Sequence, residues 1–128
     1  MTDNPLILVV EDDAEMNQLQ RELLAIHGMD SEPAFSGTEA LQLCEHCPPD
    51  AILLDLMLPE LDGFETCLQL RRQEEDGQRM PIIMLTALDS EDCRQRGFAA
   101  GADAYFVKPF DPDEVIRTIH LLLNHAQP

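Results

Sequence analysis

Short, nearly uninterrupted apolar segments alternate along this chain with longer segments whose apolar residues recur at a helical period. Four apolar segments are the strongest strand candidates: Leu6 to Val10, Ala51 to Leu54, Ile82 to Leu85 and Ala104 to Val107. Strands that are apolar on both faces are typical of a parallel sheet covered by helices on both sides. A fifth candidate, Ser31 to Phe35, contains Pro33, which favours an edge position because proline cannot donate to a central ladder. The alternation predicts an α/β fold, a doubly wound (βα)5 three-layer sandwich.

The segments between the strands carry residues that usually begin and end helices. The first has an apolar stripe that stops at Gly28 and is formed by Met16, Leu19, Leu23 and Ile26. Asp13 can cap the start of this helix, and Ser36 with Glu39 fits a capping box at the start of the second. Three further helices are predicted, over Gly63 to about Arg72, over about Glu91 to Ala100, and from Asp111 onward.

Length and charge narrow the class of protein. The chain has 128 residues, enough for one well-buried core, so residues 1–128 are expected to form a single domain. Its aliphatic stretches are far shorter than the roughly 20 residues that span a bilayer. Met1 to Pro5 lack the pattern of a secretory signal, so a cytoplasmic location is expected. The net charge of −17 disfavours direct binding of nucleic acid or of a membrane surface.

Polar residues follow four of the predicted strands at the point where each strand ends. Glu11, Asp12 and Asp13 follow the first strand, Asp55 the third, Thr86 the fourth and Lys108 the fifth. In a doubly wound sheet, ligands bind beyond the carboxyl ends of the strands. These side chains, which include the only lysine in the chain, are therefore expected to meet on one rim of the sheet.

Carboxylates that meet on one rim repel one another unless a cation neutralises them. A few oxygen ligands with room for water and phosphate suit Mg2+ better than a caged Ca2+ site, with Mn2+ as a substitute. Beside such an ion, Asp55 can attack a phosphorus atom in line, because the cation screens the repulsion between two anionic oxygens. Thr86 and Lys108 would then hold the other phosphoryl oxygens.

Five segments, distributed from the first strand to the start of the last helix, carry a resemblance to a known family. They are Leu8-Val9-Val10-Glu11-Asp12-Asp13, Leu54-Asp55-Leu56-Met57-Leu58-Pro59, Asp62-Gly63, Leu85-Thr86-Ala87 and Phe106-Val107-Lys108-Pro109-Phe110. Together they resemble the CheY-like receiver domains of two-component response regulators. The resemblance implies a five-stranded parallel sheet of order 2-1-3-4-5.

The resemblance also implies a role for each rim residue. Asp55 would be the phosphoacceptor, and the ligands of the metal would be Glu11, Asp12, Asp55 and the main-chain carbonyl of Met57. Thr86 and Tyr105 would form the switch pair, in which the hydroxyl moves toward the phosphoryl group and the ring swings inward. Lys108-Pro109 would be a cis peptide.

The partners are likewise implied by the resemblance. A sensor histidine kinase or a phosphotransfer protein would supply the phosphoryl group. A downstream effector domain or protein would read the output face, made by the fourth helix, fifth strand and fifth helix. A homodimer through this face stays open. The chain would be a signalling domain that catalyses only its own Mg2+-dependent phosphorylation and dephosphorylation.

Other functions are weighed against the same residues. Phosphatases of the haloacid dehalogenase type need a second aspartate two residues after the nucleophile, where this chain has Met57. A flavodoxin-like binder of small ligands would need a phosphate loop after the first strand, where acids stand instead. Cys44 and Cys47 form a lone CxxC without a second pair of ligands, so no zinc site is predicted. A receiver-like interaction module that is not phosphorylated in the cell remains the alternative.

Overall fold

The computed structural model describes residues 4–75 and 79–126. Its five strands are β1 (Leu6–Val10), β2 (Asp30–Ala34), β3 (Ala51–Leu54), β4 (Ile82–Thr86) and β5 (Ala104–Val107). Its five helices are α1 (Ala14–Ile26), α2 (Gly37–His46), α3 (Gly63–Gln73), α4 (Glu91–Ala100) and α5 (Pro112–Ala126). In the described ranges, no helix combines the length and the apolar character that crossing a membrane requires.

All five strands pair in parallel in the order β2-β1-β3-β4-β5, which confirms the predicted doubly wound sheet. Val10 lies opposite Ala34 on one side and Leu54 on the other, and Leu54 lies opposite Met84. The carboxyl ends of β1, β2 and β3 are therefore level with one another, and β4 extends two residues further, to Thr86. β2 lies at an edge of the sheet, as predicted. At this position Pro33, which has no N–H group, does not remove a hydrogen bond from a central strand.

Helices cover both faces of the sheet, and each face has its own core. On one face α1 and α5 pack over the sheet through Leu24, Val115, Ile116 and Ile119. On the other face α2, α3 and α4 pack through Ala40, Cys44, Phe64, Cys67, Leu70 and Ala100. Because the strands are buried from both sides, their sequences are almost continuously apolar.

Side-chain caps explain where the helices begin. Asp13 accepts hydrogen bonds from the N–H groups of Glu15 and Met16 at the start of α1. Ser36 accepts from Glu39 N–H at the start of α2, as the capping pattern predicts. Each cap satisfies an N–H group that has no partner within its helix. The caps also fix the loops that leave the sheet, and these loops carry the rim residues.

The buried face of α1 differs from what its apolar stripe indicates. Leu19 and Ile26 are 59% and 79% exposed. The residues that α1 buries are Asn17, Gln20 and Leu24. The helix is rotated so that two polar side chains face the sheet, because Asn17 makes hydrogen bonds there that an apolar residue could not make.

Candidate functional site

Three charged side chains from three different strand ends meet at one corner of the molecule. Glu11 directly follows β1, Asp55 follows β3 and Lys108 follows β5. Lys108 Nζ lies 2.8 Å from Glu11 Oε1 and 3.2 Å from Asp55 Oδ2, so the ammonium bridges the two carboxylates. The parallel strands bring these residues together even though 97 positions separate Glu11 from Lys108.

Asp55 is held firmly in this corner. Its main-chain N–H donates to the carbonyl of Val10, at 3.0 Å, which ties it to the end of β1. Its Oδ1 accepts a hydrogen bond from the N–H of Met57 at 3.1 Å. Asp55 is only 7% exposed, so its carboxylate has a fixed direction and limited contact with water.

Asp12 completes an acidic cluster with Glu11 and Asp55. One carboxylate oxygen from each of these three residues lies within 4.8 Å of the others. Asp12 is exposed, whereas Glu11 and Asp55 are buried. Mg2+ binds oxygen ligands at about 2.0–2.1 Å and usually keeps several waters. A cluster of carboxylates that is open on the Asp12 side therefore fits this ion.

The electrostatics of the corner show that one cation is shared among several acids. Burial raises the pKa of the Glu11 carboxyl, and the charge of Asp55 acts in the same direction, against the hydrogen bond from Lys108. Burial disfavours the charged form of Lys108. Its hydrogen bond to Glu11 and the charge of Asp55 nevertheless outweigh that effect and raise its pKa. Lys108 therefore stays protonated, and the acids would still gain from a second cation.

Thr86 and Tyr105 are joined through the main chain of one residue, Leu88. Thr86 is the last residue of β4 and is fully buried, and its Oγ1 accepts from Leu88 N–H at 3.2 Å. The Tyr105 hydroxyl donates to the Leu88 carbonyl at 2.8 Å. The ring of Tyr105 is buried at 6% exposure beneath α4. Leu88 therefore connects the Thr86 hydroxyl to the Tyr105 hydroxyl through its own N–H and C=O groups.

The remaining predicted residues also lie on or beside this rim. The side chain of Met57 is 56% exposed, and the loop that holds it begins at Asp55. The peptide bond between Lys108 and Pro109 is cis. Asp13 serves as the cap of α1, as predicted, and its own N–H donates to Glu11 Oε2 at 3.2 Å.

The contacts that Leu88 and Asn17 make at the site were not predicted from the sequence. Leu88 acts through main-chain atoms, which leave no signal in the identity of the residue. Asn17 donates to the carbonyl of Glu11 from the buried face of α1. Its signal was available, since an amide that shares a helical face with Leu24 must find buried partners.

The lone CxxC behaves as ordinary packing. Cys44 is buried, and burial raises the pKa of its thiol to about 11. Cys47 is exposed, and both thiols are free. A thiol with so high a pKa is a poor metal ligand and a poor nucleophile at neutral pH.

Comparison with known proteins decides the family. The sequence matches the family described as response regulator receiver domain over residues 7–120. This chain belongs to that family. The response regulator MprA of Mycobacterium sp. (strain KMS) is 43% identical to the receiver chain over 122 residues, which make up 95% of this chain and 52% of the relative. The receiver chain thus spans about half the length of that relative.

Solved structures of receiver domains share the whole architecture. The receiver domain of the Francisella response regulator 1452 has a TM-score of 0.89 at 36% identity, covering 97% of this chain and 100% of that one. The receiver domain of the sensor histidine kinase PA1611 from Pseudomonas aeruginosa PAO1 has a TM-score of 0.86 at 33% identity, covering 94% and 98%. That structure is described as having a magnesium ion coordinated in its active site cleft. The CheY-like, two-component character of this receiver domain is established by these matches.

Proposed function

We propose that this receiver domain accepts a phosphoryl group on Asp55 from a sensor histidine kinase or a phosphotransfer protein. The observation that carries the proposal is the fixed, buried carboxylate of Asp55 with the Lys108 ammonium 3.2 Å from its Oδ2. Met57 N–H orients the other oxygen. A carboxylate held in this way can act as a nucleophile without losing its direction.

The transfer requires one bond to form and one to break. A carboxylate oxygen of Asp55 bonds to phosphorus while the bond from phosphorus to the donor's imidazole nitrogen breaks, and that nitrogen keeps the electron pair. The products are an aspartyl phosphate and an imidazole, which leaves as the neutral ring when its other nitrogen carries a proton. Lys108 can pair with a phosphoryl oxygen because its ammonium already lies beside Asp55. Thr86 is proposed to donate its hydroxyl to a second phosphoryl oxygen.

We propose that Glu11, Asp12, Asp55 and the main-chain carbonyl of Met57 hold a Mg2+ ion, with Mn2+ as a substitute. The clustered carboxylate oxygens support this proposal, as does the magnesium described for the PA1611 receiver domain. When bound, the ion would screen the negative charge between Asp55 and the incoming phosphoryl oxygens. The chain's own residues supply the nucleophile, its orientation and the ammonium.

Labelling with acetyl phosphate tests the phosphoacceptor. With Mg2+, intact-protein mass spectrometry is expected to show one added phosphoryl group on the wild type and none on Asp55→Asn. Asp50→Asn is the matched control, because Asp50 precedes the same strand at its opposite end. That variant is expected to label normally. Removing divalent ions with EDTA should abolish labelling of the wild type and of Asp50→Asn.

Two outcomes would contradict the proposal. Wild-type protein that stays unlabelled would favour the alternative, an interaction module that is not phosphorylated. Labelling of Asp55→Asn at the wild-type level would place the phosphoryl group on another residue.

We further propose that phosphorylation shifts an existing equilibrium between two conformations of the output face, made by α4, β5 and α5. The hydrogen bonds from Leu88 N–H to Thr86 and from the Tyr105 hydroxyl to the Leu88 carbonyl support this route. A groove on this face is lined by Arg94, Tyr105, Phe106 and Glu114, among others, and offers a surface to an effector domain or protein. A homodimer through the same face stays an alternative.

Thr86→Ala separates phosphorylation from the response. The variant is expected to accept the phosphoryl group yet to lose most of the conformational change, because the hydroxyl that would bond the phosphoryl group and that accepts from Leu88 N–H is gone. Tyr105 is the only tyrosine and the chain has no tryptophan, so tyrosine fluorescence reports on this residue alone. Thr66→Ala is the control, since Thr66 is equally buried but lies on α3. Equal fluorescence changes in wild type and Thr86→Ala would remove the switch model.

We also propose a cytoplasmic location, a single domain over residues 1–128 and no direct binding of nucleic acid by this segment. The net charge of −17 supports the last of these.

A further inference from the structure

We infer that Asn17 is a positioning residue for the carboxylate pair Glu11–Asp12, and that Arg21 orients the Asn17 amide for this task. The inference rests on the proposed metal site and adds residues that make no contact with the ion. It starts from an anomaly in α1, whose buried face carries a fully buried asparagine although apolar residues were available on the same helix.

The Asn17 amide joins three chain segments at the point where β1 leaves the sheet. Its Nδ2 donates to the carbonyl of Glu11 at 3.0 Å and to that of Val9 at 3.1 Å. It also lies 3.3 Å from the carbonyl of Ala34, the last residue of β2. An amide nitrogen has two hydrogens, so three carbonyls share them. One side chain therefore fixes the ends of both β1 and β2 relative to α1.

The opposite side of the amide is occupied by Arg21. Its Nε donates to Asn17 Oδ1 at 2.8 Å, one helical turn along α1. A flipped amide would direct Oδ1 at the three carbonyls and Nδ2 at the Arg21 donor, which is repulsive at both ends. Arg21 therefore keeps the donor side of Asn17 directed at Glu11.

Glu11 is consequently held on both sides of its Cα. Its N–H donates to the Ala34 carbonyl at 3.0 Å, and its carbonyl accepts from Asn17. Asp12 follows in the chain, so its position depends on the same carbonyl. Mg2+ demands near-ideal octahedral geometry, so a small displacement of these ligands weakens binding. Residues that orient ligands typically contribute about 10–100-fold to metal affinity.

The first test compares Asn17→Ala with Gln20→Ala. Both side chains are polar and buried on the same face of α1, but Gln20 lies one turn further from Glu11. Both variants are expected to lose stability in urea with EDTA present. Calorimetric titration of the unphosphorylated proteins with MgCl2 should show binding about tenfold weaker for Asn17→Ala and unchanged for Gln20→Ala. Equal Mg2+ affinity in Asn17→Ala and wild type would overturn the inference.

The second test uses Arg21 and stays informative even where Asn17→Ala does not fold. In Arg21→Gln, the side-chain amide nitrogen is as many bonds from the backbone as Nε is in arginine. The glutamine can therefore still donate a hydrogen bond to Asn17. Arg21→Met has a similar length and no donor. Both variants lose the same positive charge, and that loss alone would strengthen Mg2+ binding to an acidic cluster. We expect weaker binding in Arg21→Met and wild-type or tighter binding in Arg21→Gln. Equal affinities in the two variants would contradict the role of Arg21.

The wild-type titration separates the two levels of the proposal. If wild type binds no Mg2+, the metal site of the proposed function fails, and the positioning role fails with it. If wild type binds Mg2+ and the variants of Asn17 and Arg21 bind equally well, only the positioning role fails.

Discussion

At the scale of single residues, Glu60 is held in an unfavourable backbone conformation. Its φ is 64°, and among the described residues it is the only non-glycine residue with a positive φ. Glu60 lies in the loop that joins Asp55 to α3, and this loop is closed by a hydrogen bond from Gly63 N–H to the Leu56 carbonyl. A left-handed conformation costs an ordinary residue roughly 1–2 kcal/mol. The loop that follows Asp55 therefore stores strain at one exposed position.

Glu60→Gly should relieve this strain. Glycine adopts positive φ freely but gains entropy in the unfolded chain, so the expected net increase in stability is about 0.5–1 kcal/mol. Urea unfolding measures it. Glu22→Gly makes the same replacement in the middle of α1 and is expected to lower stability by about 1 kcal/mol. A decrease in both variants would show that Glu60 makes interactions that outweigh its backbone strain.

The residues of the rim were predictable because each directly follows an apolar strand. Because the strands are parallel, their carboxyl ends share one edge of the sheet, which brings Glu11, Asp55 and Lys108 into contact. The hydrogen bonds of Asn17 and Leu88 were not predicted because they involve main-chain carbonyls and N–H groups. Such contacts depend on the rotation of α1 and on the path of the loop after β4, and neither follows from residue type.

At the scale of elements, α4 is the helix with the smallest buried face. It buries only Gly97 and Ala100, both in its C-terminal half. That half is attached to α3, because the Cys67 thiol donates to the Ala100 carbonyl and the Arg71 guanidinium donates to the Gly101 carbonyl. Gly97 lets the helix approach Tyr105, since a Cβ there would lie 3.0 Å from the ring and 2.9 Å from Met84 Sδ. The helix is thus anchored at one end and covers Tyr105 closely.

Gly97→Ala is expected to displace the Tyr105 ring and to cost about 1–3 kcal/mol of stability, as overpacking does. Acrylamide quenching of tyrosine fluorescence should increase, because Tyr105 would become accessible. Gly28→Ala serves as the control. Gly28 has a φ of 78° with open space around its Cβ position, so its replacement is strained but distant from Tyr105. Unchanged quenching in Gly97→Ala would mean that Met84 moves instead of the ring.

The capping residues and glycines in the sequence predicted the helix boundaries closely. The sequence did not predict which face of α1 is buried. Asp13 and Ser36 cap the starts of α1 and α2, and Gly101 caps the end of α4. The apolar stripe of α1 indicated the wrong face because Leu19 and Ile26 are largely exposed. Hydrophobic periodicity measures which side chains prefer burial, and it does not include the hydrogen bonds that a buried amide makes with strand ends.

At the scale of the whole molecule, negative charge is concentrated at one end. All five helices begin at the carboxyl edge of the sheet, and each has an acidic residue in its first turn. Those acids interact favourably with the helix dipoles but repel one another. The end that holds Asp55 therefore combines local stabilisation of each helix with repulsion across the rim.

Salt should consequently stabilise the fold, and Mg2+ should do so beyond its ionic strength. NaCl screens the repulsion, so the free energy of unfolding is expected to rise with its concentration. MgCl2 at matched ionic strength should add about 2.7 kcal/mol when the ion reaches 100 times its Kd. Asp12→Asn should be more stable than wild type in EDTA yet gain less from Mg2+. Equal effects of the two salts on wild type would argue against a specific site.

The two hydrogen bonds at Leu88 use its N–H and its C=O, which every amino acid except proline possesses. Replacing its side chain therefore leaves the mechanical link between Thr86 and Tyr105 in place. The Leu88 side chain is partly buried against the hydrophobic core, so its size and polarity act on packing and not on these two hydrogen bonds. In the proposed switch, a substitution at position 88 would therefore change the packing of this loop separately from the main-chain route between Thr86 and Tyr105.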